Sequence, residues 1–486
     1  REAKGMFSSY GGGEAVRAPA PVTVASLKSL KEGFVTGLQG TTFAEILVLT
    51  LVLPLATFVR KAVVGEALRR RRQGWCKAGS WANLWVDFAT VVVPGILALT
   101  VLSDYGAHLC AAFAALACLG VVRANQNQVQ LREARQQREA GGYGDQVRDD
   151  VNGSDEHSAA PPAGLRDLVA AQTTYVWDSL TEYRSILCLY TFVSILAVDF
   201  EAFPRRLAKA EHYGVGLMDV GVGSFVISDA LFSKQDRPPQ EASAKSPAVA
   251  PKFDTKLVGA TLSNALQLAF VGAVRIVATK LMAYQEHVGE YGVHWNFFLT
   301  LASVKTLSLL VPTRAAGPAA AGIAATYQFL LSRQGLATYV NEEFRDTSSL
   351  LSLNKEGVVS LAGYLALHCL ARFYACSSNL HVLTERQYGS TSLKAKRQWA
   401  FRHFEYTCWF AALCWVLALG LDHWVERVSR RSVNASYVFW VMAINLTWIL
   451  SVYFCRSEKK SNKQTPTTPS LLSRLSPLFR SFGERS

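Results

Sequence analysis

A chain of 486 residues that is 50% hydrophobic and 18% charged carries less charge than the roughly 25% of an ordinary soluble domain. Long apolar blocks hold almost none of that charge and short polar connectors hold nearly all of it, which excludes a single water-soluble globule. The net charge of +13 does not point to a nucleic-acid partner, because the basic residues stand between apolar blocks, as at Arg69, Arg70, Arg71 and Arg72, where Lys and Arg mark cytoplasmic loops.

Residues 1–30 lack the continuous apolar core of a signal peptide. Apolar blocks then follow at 44–59, 84–102, 108–122, 185–198, 214–232, 257–278, 295–311, 316–331, 358–374, 409–424 and 437–454. A helix needs about 20 apolar residues to cross the hydrocarbon core, and only helices or closed barrels satisfy the backbone there. These blocks are too long and too uniform for barrel strands. The expected fold class is therefore all-α, a polytopic transmembrane helix bundle of about eleven spans. Residues 1–42 read as a lumenal segment, 43–455 as the multi-span domain and 456–486 as a basic cytoplasmic tail. The polar stretches at 124–180 and 234–256, with their glycines and prolines, read as flexible cytoplasmic loops. The nine cysteines include no CxxC pair, and those inside apolar blocks read as small hydrophobes rather than a zinc or disulfide framework.

With the arginine run cytoplasmic, alternation puts 199–213, 279–294, 332–357 and 425–436 on one lumenal side. The first of these contains PRRLAKAE at 204–211, basic where the charge rule makes basic residues scarce. A site that holds an anionic headgroup explains that better than a structural loop does.

Ionisable groups inside spans are costly. Asp229, Arg275, Lys305 and Arg372 stand within apolar blocks. Asp229, Lys305 and Arg372 read as partners across the bundle, Asp199 and Asp219 as functional. The segment 195–225 sets Asp199, Arg205, Arg206, Lys209, Glu211, His212, Tyr213 and Asp219 beside the membrane. A carboxylate there can take a proton from a hydroxyl, and the cations can hold phosphate or a developing oxyanion. A second segment, YQEHVGEYGVHWNFF at 284–298, supplies Gln285, Glu286, His287, Glu290, Tyr291, His294, Trp295 and Asn296. Its spacing is not HExxH, so no metal is expected, and Tyr291 and Trp295 also suit an interfacial belt. Asn354, Lys355 and Glu356 open the next apolar block and, alone, read as an ordinary helix start.

Together with KEGFVTGLQGTTFAEI at 31–46, NKEGVVSLAGYLA at 354–366 and RRSVNASYVFWVMAINLT at 430–447, these segments resemble the GPI-inositol acyltransferase family over nearly the whole chain. The resemblance implies an acyl-CoA-dependent O-acyltransferase of the endoplasmic reticulum membrane, multi-pass, with reactive loops lumenal. Its co-substrate is acyl-CoA, commonly palmitoyl-CoA, and no cofactor is bound. Its acceptor is the inositol 2-hydroxyl of glucosaminyl-phosphatidylinositol, a step of GPI-anchor biosynthesis. On this resemblance the catalytic pair is Asp199, which takes the hydroxyl proton, and Lys209, which offsets the oxyanion. Arg205 and Arg206 are expected to hold the lipid phosphate. Glu211, Tyr213, Asp219, Gln285, Glu286, His287, Tyr291, His294, Trp295, Asn296, Asn354, Lys355 and Glu356 are expected to line the substrate site. The family pattern has about thirteen spans, and this chain turns polar where a final one belongs. A lipid transporter or flippase, or a non-catalytic subunit of a GPI-synthesis complex, is the competing reading. The oligomeric state is left open.

Overall fold

A computed structural model of the chain describes residues 33–34, 36–61, 81–140, 176–233, 255–282, 288–342, 344–378, 380 and 393–454. Every apolar block carries a helix, and no strand longer than an isolated bridge occurs among the described residues. The chain is an all-α polytopic membrane protein. Its first helix, α1 (Phe43–Val59), is capped by Thr42, whose hydroxyl accepts the Glu45 N–H. Next come α2 (Trp81–Asp87), a π turn (Phe88–Val92) and α3 (Val93–Leu99), then α4 (Gly106–Ala140). The two apolar blocks read here as separate spans form one pair bent by 106°.

Then follow α5 (Val176–Ala197), α6 (Val220–Leu231), α7 (Thr255–Leu281), α8 (Val288–Tyr291), α9 (Phe297–Ser308), α10 (Ala316–Arg333) and α11 (Leu336–Asn341). Last come α12 (Leu350–Leu353), α13 (Lys355–Val359), α14 (Leu361–Ser377), α15 (Leu393–Trp424) and α16 (Ala435–Phe454). Among the described residues five helical stretches are long and apolar enough to cross a membrane, or six if the bent pair is one span. The helices α1 and α9 are apolar but shorter.

Three expectations change. The block 214–232 is helical only over α6, because Gly214 adopts φ +132° and Gly216 precedes a 3-10 turn at Leu217–Asp219. Asp219 therefore stands in a turn before the helix rather than inside a span. The loop expected from residue 124 begins later, because α4 runs on to Ala140. That extension is rich in Gln, Arg, Glu and Ala and meets no glycine before Gly141, a composition with high helix propensity. The expected loops at 141–175 and 234–254, the arginine run and the tail lie outside the described residues.

The core forms around α16, which is apolar on all sides and buried on nearly all of them, as a central helix must be. It touches α1, α5, α6, α14 and α15. Asn445 ties three of these elements: its amide donates to Ser224 Oγ at 2.8 Å, and its oxygen accepts from Tyr183 at 2.6 Å. By contrast, α7 leaves Leu266, Phe270, Val274 and Val277 exposed along one helix, a face suited to lipid.

Asp229 and Lys305 pair across the bundle as expected, whereas Arg372 is held on backbone carbonyls. Lys305 Nζ lies 2.7 Å from Asp229, and His368 Nε2 lies 3.4 Å from the same carboxylate. Arg372, fully buried, donates to the carbonyls of Ser308 and Val311 at 3.2 and 2.9 Å. These carbonyls lie at the end of α9 and in the turn that follows it, where backbone oxygens depend on side chains for part of their bonding.

Candidate functional site

The ends of α1, α5, α10, α14, α15 and α16 leave polar connections at one end of the bundle, and backbone bonds stitch those connections together. Thr41 N–H donates to Val215 O at 2.7 Å, Glu211 N–H to Leu38 O at 2.8 Å, Gly214 N–H to Val428 O at 2.8 Å and Val293 N–H to Leu353 O at 3.0 Å. Gly214 is required here. A Cβ at its positive φ would lie 2.0 Å from Gln39 O, and a non-glycine residue rarely adopts that backbone. The described residues of the four segments 199–213, 279–294, 332–357 and 425–436 thus share one polar layer.

Two ion-paired clusters fill that layer. In the first, Lys209 Nζ lies 2.7 Å from Glu290, Arg430 reaches the same carboxylate at 3.4 Å, and Arg430 Nε lies 3.0 Å from Asp219 Oδ1. That last contact lacks the alignment of a hydrogen bond, since both atoms are without a hydrogen-bond partner, so we treat it as ionic. The other Asp219 oxygen accepts the N–H groups of Ala210 at 3.0 Å and Gly216 at 2.8 Å. Burial pushes the Asp219 carboxyl up to about 6, against the opposing pull of Arg430, these two N–H groups and Lys209.

The second cluster is centred on Glu356, which is fully buried. Arg345 holds it with a two-pronged fork at 2.6 and 2.8 Å, and Arg431 adds a third bond at 3.0 Å. Arg431 also reaches His212 Nδ1 at 3.3 Å and Glu211 at 3.5 Å. Tyr213 donates to Glu426 at 3.0 Å; burial and then Glu426 push its phenol up to about 12.

Beside this second cluster an open cavity of about 610 Å³ is walled by residues 36–39, Glu211, His212, Tyr213, Arg345, Arg427 and Arg431. Several expected site residues do other work. Arg205 donates to the carbonyls of Val198, Phe200 and Phe203 at 2.9, 2.6 and 2.9 Å and lies over the Phe34 ring. Arg206 pairs with Glu45 at 2.9 Å and with Asp104. Asn296 caps α9 and donates to Gly272 O at 2.8 Å. Asn354 accepts the His294 N–H at 2.7 Å, and the Trp295 ring packs against Gly357 and donates to Thr300 at 3.0 Å. Lys355 is fully buried and donates to the carbonyls of Tyr339, Glu342 and Phe344 at 2.6, 2.7 and 3.1 Å. Tyr291 is buried under Arg430. Asp199 is exposed just past the end of α5, its charge acting on Arg205. Gln285, Glu286 and His287 lie outside the described residues.

Sequence reasoning missed Arg427, Arg430, Arg431 and Glu426. Their signal was present: three arginines crowd a short connection on the side where the charge rule makes them scarce.

A bundle of apolar helices with an ion-paired polar cavity at their ends defines a multi-pass membrane protein whose site lies at the membrane boundary. The chain belongs to the GWT1 family, whose model matches residues 27–479. It is 31% identical over 447 residues to GPI-anchored wall transfer protein 1 of Aspergillus fumigatus, covering 89% of this chain and 81% of that protein. Phosphatidylinositol-glycan biosynthesis class W protein of Dictyostelium discoideum is 34% identical over 298 residues, 55% of this chain and 58% of that protein. An uncharacterized protein of Arabidopsis thaliana is 38% identical over 289 residues, 59% of this chain and 60% of that protein. The family drawn from the motifs and the family that matches agree.

Proposed function

We propose that this protein transfers a fatty acyl chain, palmitoyl by preference, from acyl-CoA to the inositol 2-hydroxyl of glucosaminyl-phosphatidylinositol. Membership of the GWT1 family supports the broader role in GPI-anchor biosynthesis, and that pathway is the reason for placing the protein in the endoplasmic reticulum membrane. The observation that carries the reading is the cavity walled by residues 211–213, immediately after Lys209, in a chain of this family.

In this reading the inositol oxygen attacks the thioester carbonyl, the C–O bond forms as the C–S bond breaks, and the hydroxyl proton passes to Asp199 and on to the departing thiolate. Exposure of Asp199 at the end of α5 suits a base that must meet a membrane-borne substrate. The Lys209 ammonium, 35% exposed, offers positive charge to the tetrahedral oxyanion. Direct transfer needs no covalent enzyme intermediate, which suits a polar layer in which no Cys or Ser among the described residues is paired with a His or Lys side chain as an activating base.

The test is acylation by purified protein from labelled palmitoyl-CoA to glucosaminyl-phosphatidylinositol. Acylated product resists phosphatidylinositol-specific phospholipase C, which needs the free 2-hydroxyl. Labelled, resistant product that is lost in Asp199→Asn is the expected outcome. No transfer from folded protein sinks the reading, and full activity in Asp199→Asn removes the base assignment.

A further inference from the structure

The two arginines that the sequence offers for a lipid phosphate are already engaged. Arg205 spends its guanidinium on three backbone carbonyls, and Arg206 on two carboxylates. A lipid phosphate at either would compete with contacts that hold the 198–207 turn or tie it to α1.

The cavity is lined by the arginines Arg345, Arg427 and Arg431 and by the carboxylate Glu211; Glu356 pairs with Arg345 and Arg431, and Glu426 accepts from Tyr213. Glu356 is shared by two arginines, and the Glu211 contact is long at 3.5 Å. Arg431 is 4% exposed, and its Nε has no hydrogen-bond partner. Arg427 is exposed at the rim and makes no ion pair among the described residues. Three guanidiniums on one wall, one of them without a described counter-ion, make an electropositive surface that an anion in the cavity would neutralise. Tyr213 and His212 complete a wall suited to hydroxyl-bearing ligands.

We propose that Arg427, Arg431 and Arg345 form the phosphate-binding wall of this cavity, and that its ligand is the phosphodiester of an inositol phospholipid headgroup. Planar guanidiniums match phosphate oxygens in pairs. The identity of the lipid rests on the acyl-transfer reading; the presence of a phosphate site does not. Coenzyme A carries the same chemistry, so the test must separate the two sources.

The experiment uses the full chain purified in detergent and measures thermal stabilisation by glycerophosphoinositol, coenzyme A and uncharged inositol. Arg427 is the residue to change because its side chain supports no described contact, so Arg427→Gln and Arg427→Glu should melt like the parent without ligand. Glycerophosphoinositol is expected to stabilise the parent, with apparent affinity about 10- to 100-fold weaker in Arg427→Gln, the range for one charge-assisted contact, and no binding in Arg427→Glu. Inositol alone should do nothing. With lipid substrate, the same variants should raise KM for the inositol lipid while KM for acyl-CoA stays put. Equal glycerophosphoinositol binding by the parent and Arg427→Glu, or none by the parent, overturns the proposal. Loss of coenzyme A binding alone overturns the lipid assignment and gives the wall to the acyl donor. Arg427-dependent glycerophosphoinositol binding without any acyl transfer leaves the phosphate site standing and removes the acyltransferase reading instead.

Discussion

Arg431 and Glu356 meet at 3.0 Å across 75 residues of chain, in a contact 4% exposed on one side and closed to solvent on the other. Arg345 grips both oxygens of the same carboxylate. One acidic side chain therefore fixes the cavity wall to α13. Removing the charge leaves two neighbouring guanidiniums with only the long Glu211 contact of Arg431 to offset them. Glu356→Gln is expected to cost about 3 to 5 kcal/mol, the range for breaking a buried pair from one side. The check is the melting temperature in detergent beside that of Arg345→Lys, which keeps the charge, loses the fork and should lose less.

Asp219 gives the fold a pH dependence of definite sign. Its carboxyl is pushed up to about 6 by burial, against 3.8 for the ordinary group. Between about pH 4 and pH 6 the folded state therefore holds more protons than the unfolded chain, so this group's contribution falls as pH rises through that window and is level above it. The size is on the order of 2 to 3 kcal/mol. Asp219→Asn keeps an oxygen for the Ala210 and Gly216 N–H groups but cannot titrate. Melting curves at pH 4.5 and 7.5 should show the parent losing relative to Asp219→Asn at the higher pH. An unchanged difference between the two proteins would count against the burial argument.

Apolar length alone located the helices, since each block had no alternative but to form one in lipid. Where a block failed to become helix throughout, at 214–219, the cause was glycine geometry set by the extended segment 36–41, bridged to it at Thr41 and Val215 and far away in sequence. The polar end of α4 was misread because it lacks apolar residues, although its propensities are helical. At the site, composition showed that 199–219 and 284–298 were unusual, yet it could not show who pairs with whom. Glu45, Asp104 and Glu290 claim the cations of 204–211 from elsewhere in the chain. Arg430 and Arg431 were visible as a pair of basic residues on the wrong side. The reasoning that singled out 204–211 applied to them equally.

Lys209 faces Glu290 at 2.7 Å with Arg430 behind at 3.4 Å, so a loss of activity in Lys209→Ala has two explanations, chemistry and folding. Arg430 would keep Glu290 paired in that variant, and a partly exposed ion pair contributes no more than about 1 kcal/mol. Lys209→Ala should therefore fold, melt within a few degrees of the parent and lose acyl transfer by about 100- to 1,000-fold, the scale of one oxyanion contact. The exchange Lys209→Glu with Glu290→Lys separates the explanations. It restores the pair in reverse, and if the ammonium must stand on the 209 side, stability returns while activity does not. Recovery of both would make Lys209 a structural partner of Glu290.

The sequon Asn434-Ala435-Ser436 lies on the polar, cavity side of the bundle, where a glycan would be unsurprising from sequence alone. The Asn434 side chain is fully buried. Its amide donates to Arg427 O at 2.7 Å, and its oxygen accepts the N–H groups of Ser429 at 3.2 Å and Tyr437 at 3.1 Å. That set folds the 427–434 connection back on itself and presents Arg427 and Arg431 to the cavity. Val433, the non-glycine residue at φ 50°, is held in that unfavourable backbone by the same closure. Protein made in glycosylating cells should show no mobility change on treatment with peptide N-glycosidase F. Asn434→Ala strands two buried N–H groups and a carbonyl, so it should lower stability by about 1 to 3 kcal/mol. A mobility shift that persists in Asn152→Gln and is lost in Ser436→Ala, which separates this sequon from Asn152-Gly153-Ser154, would mean that this connection opens far enough to admit the glycosylating enzyme, and the cavity wall built on it would open too.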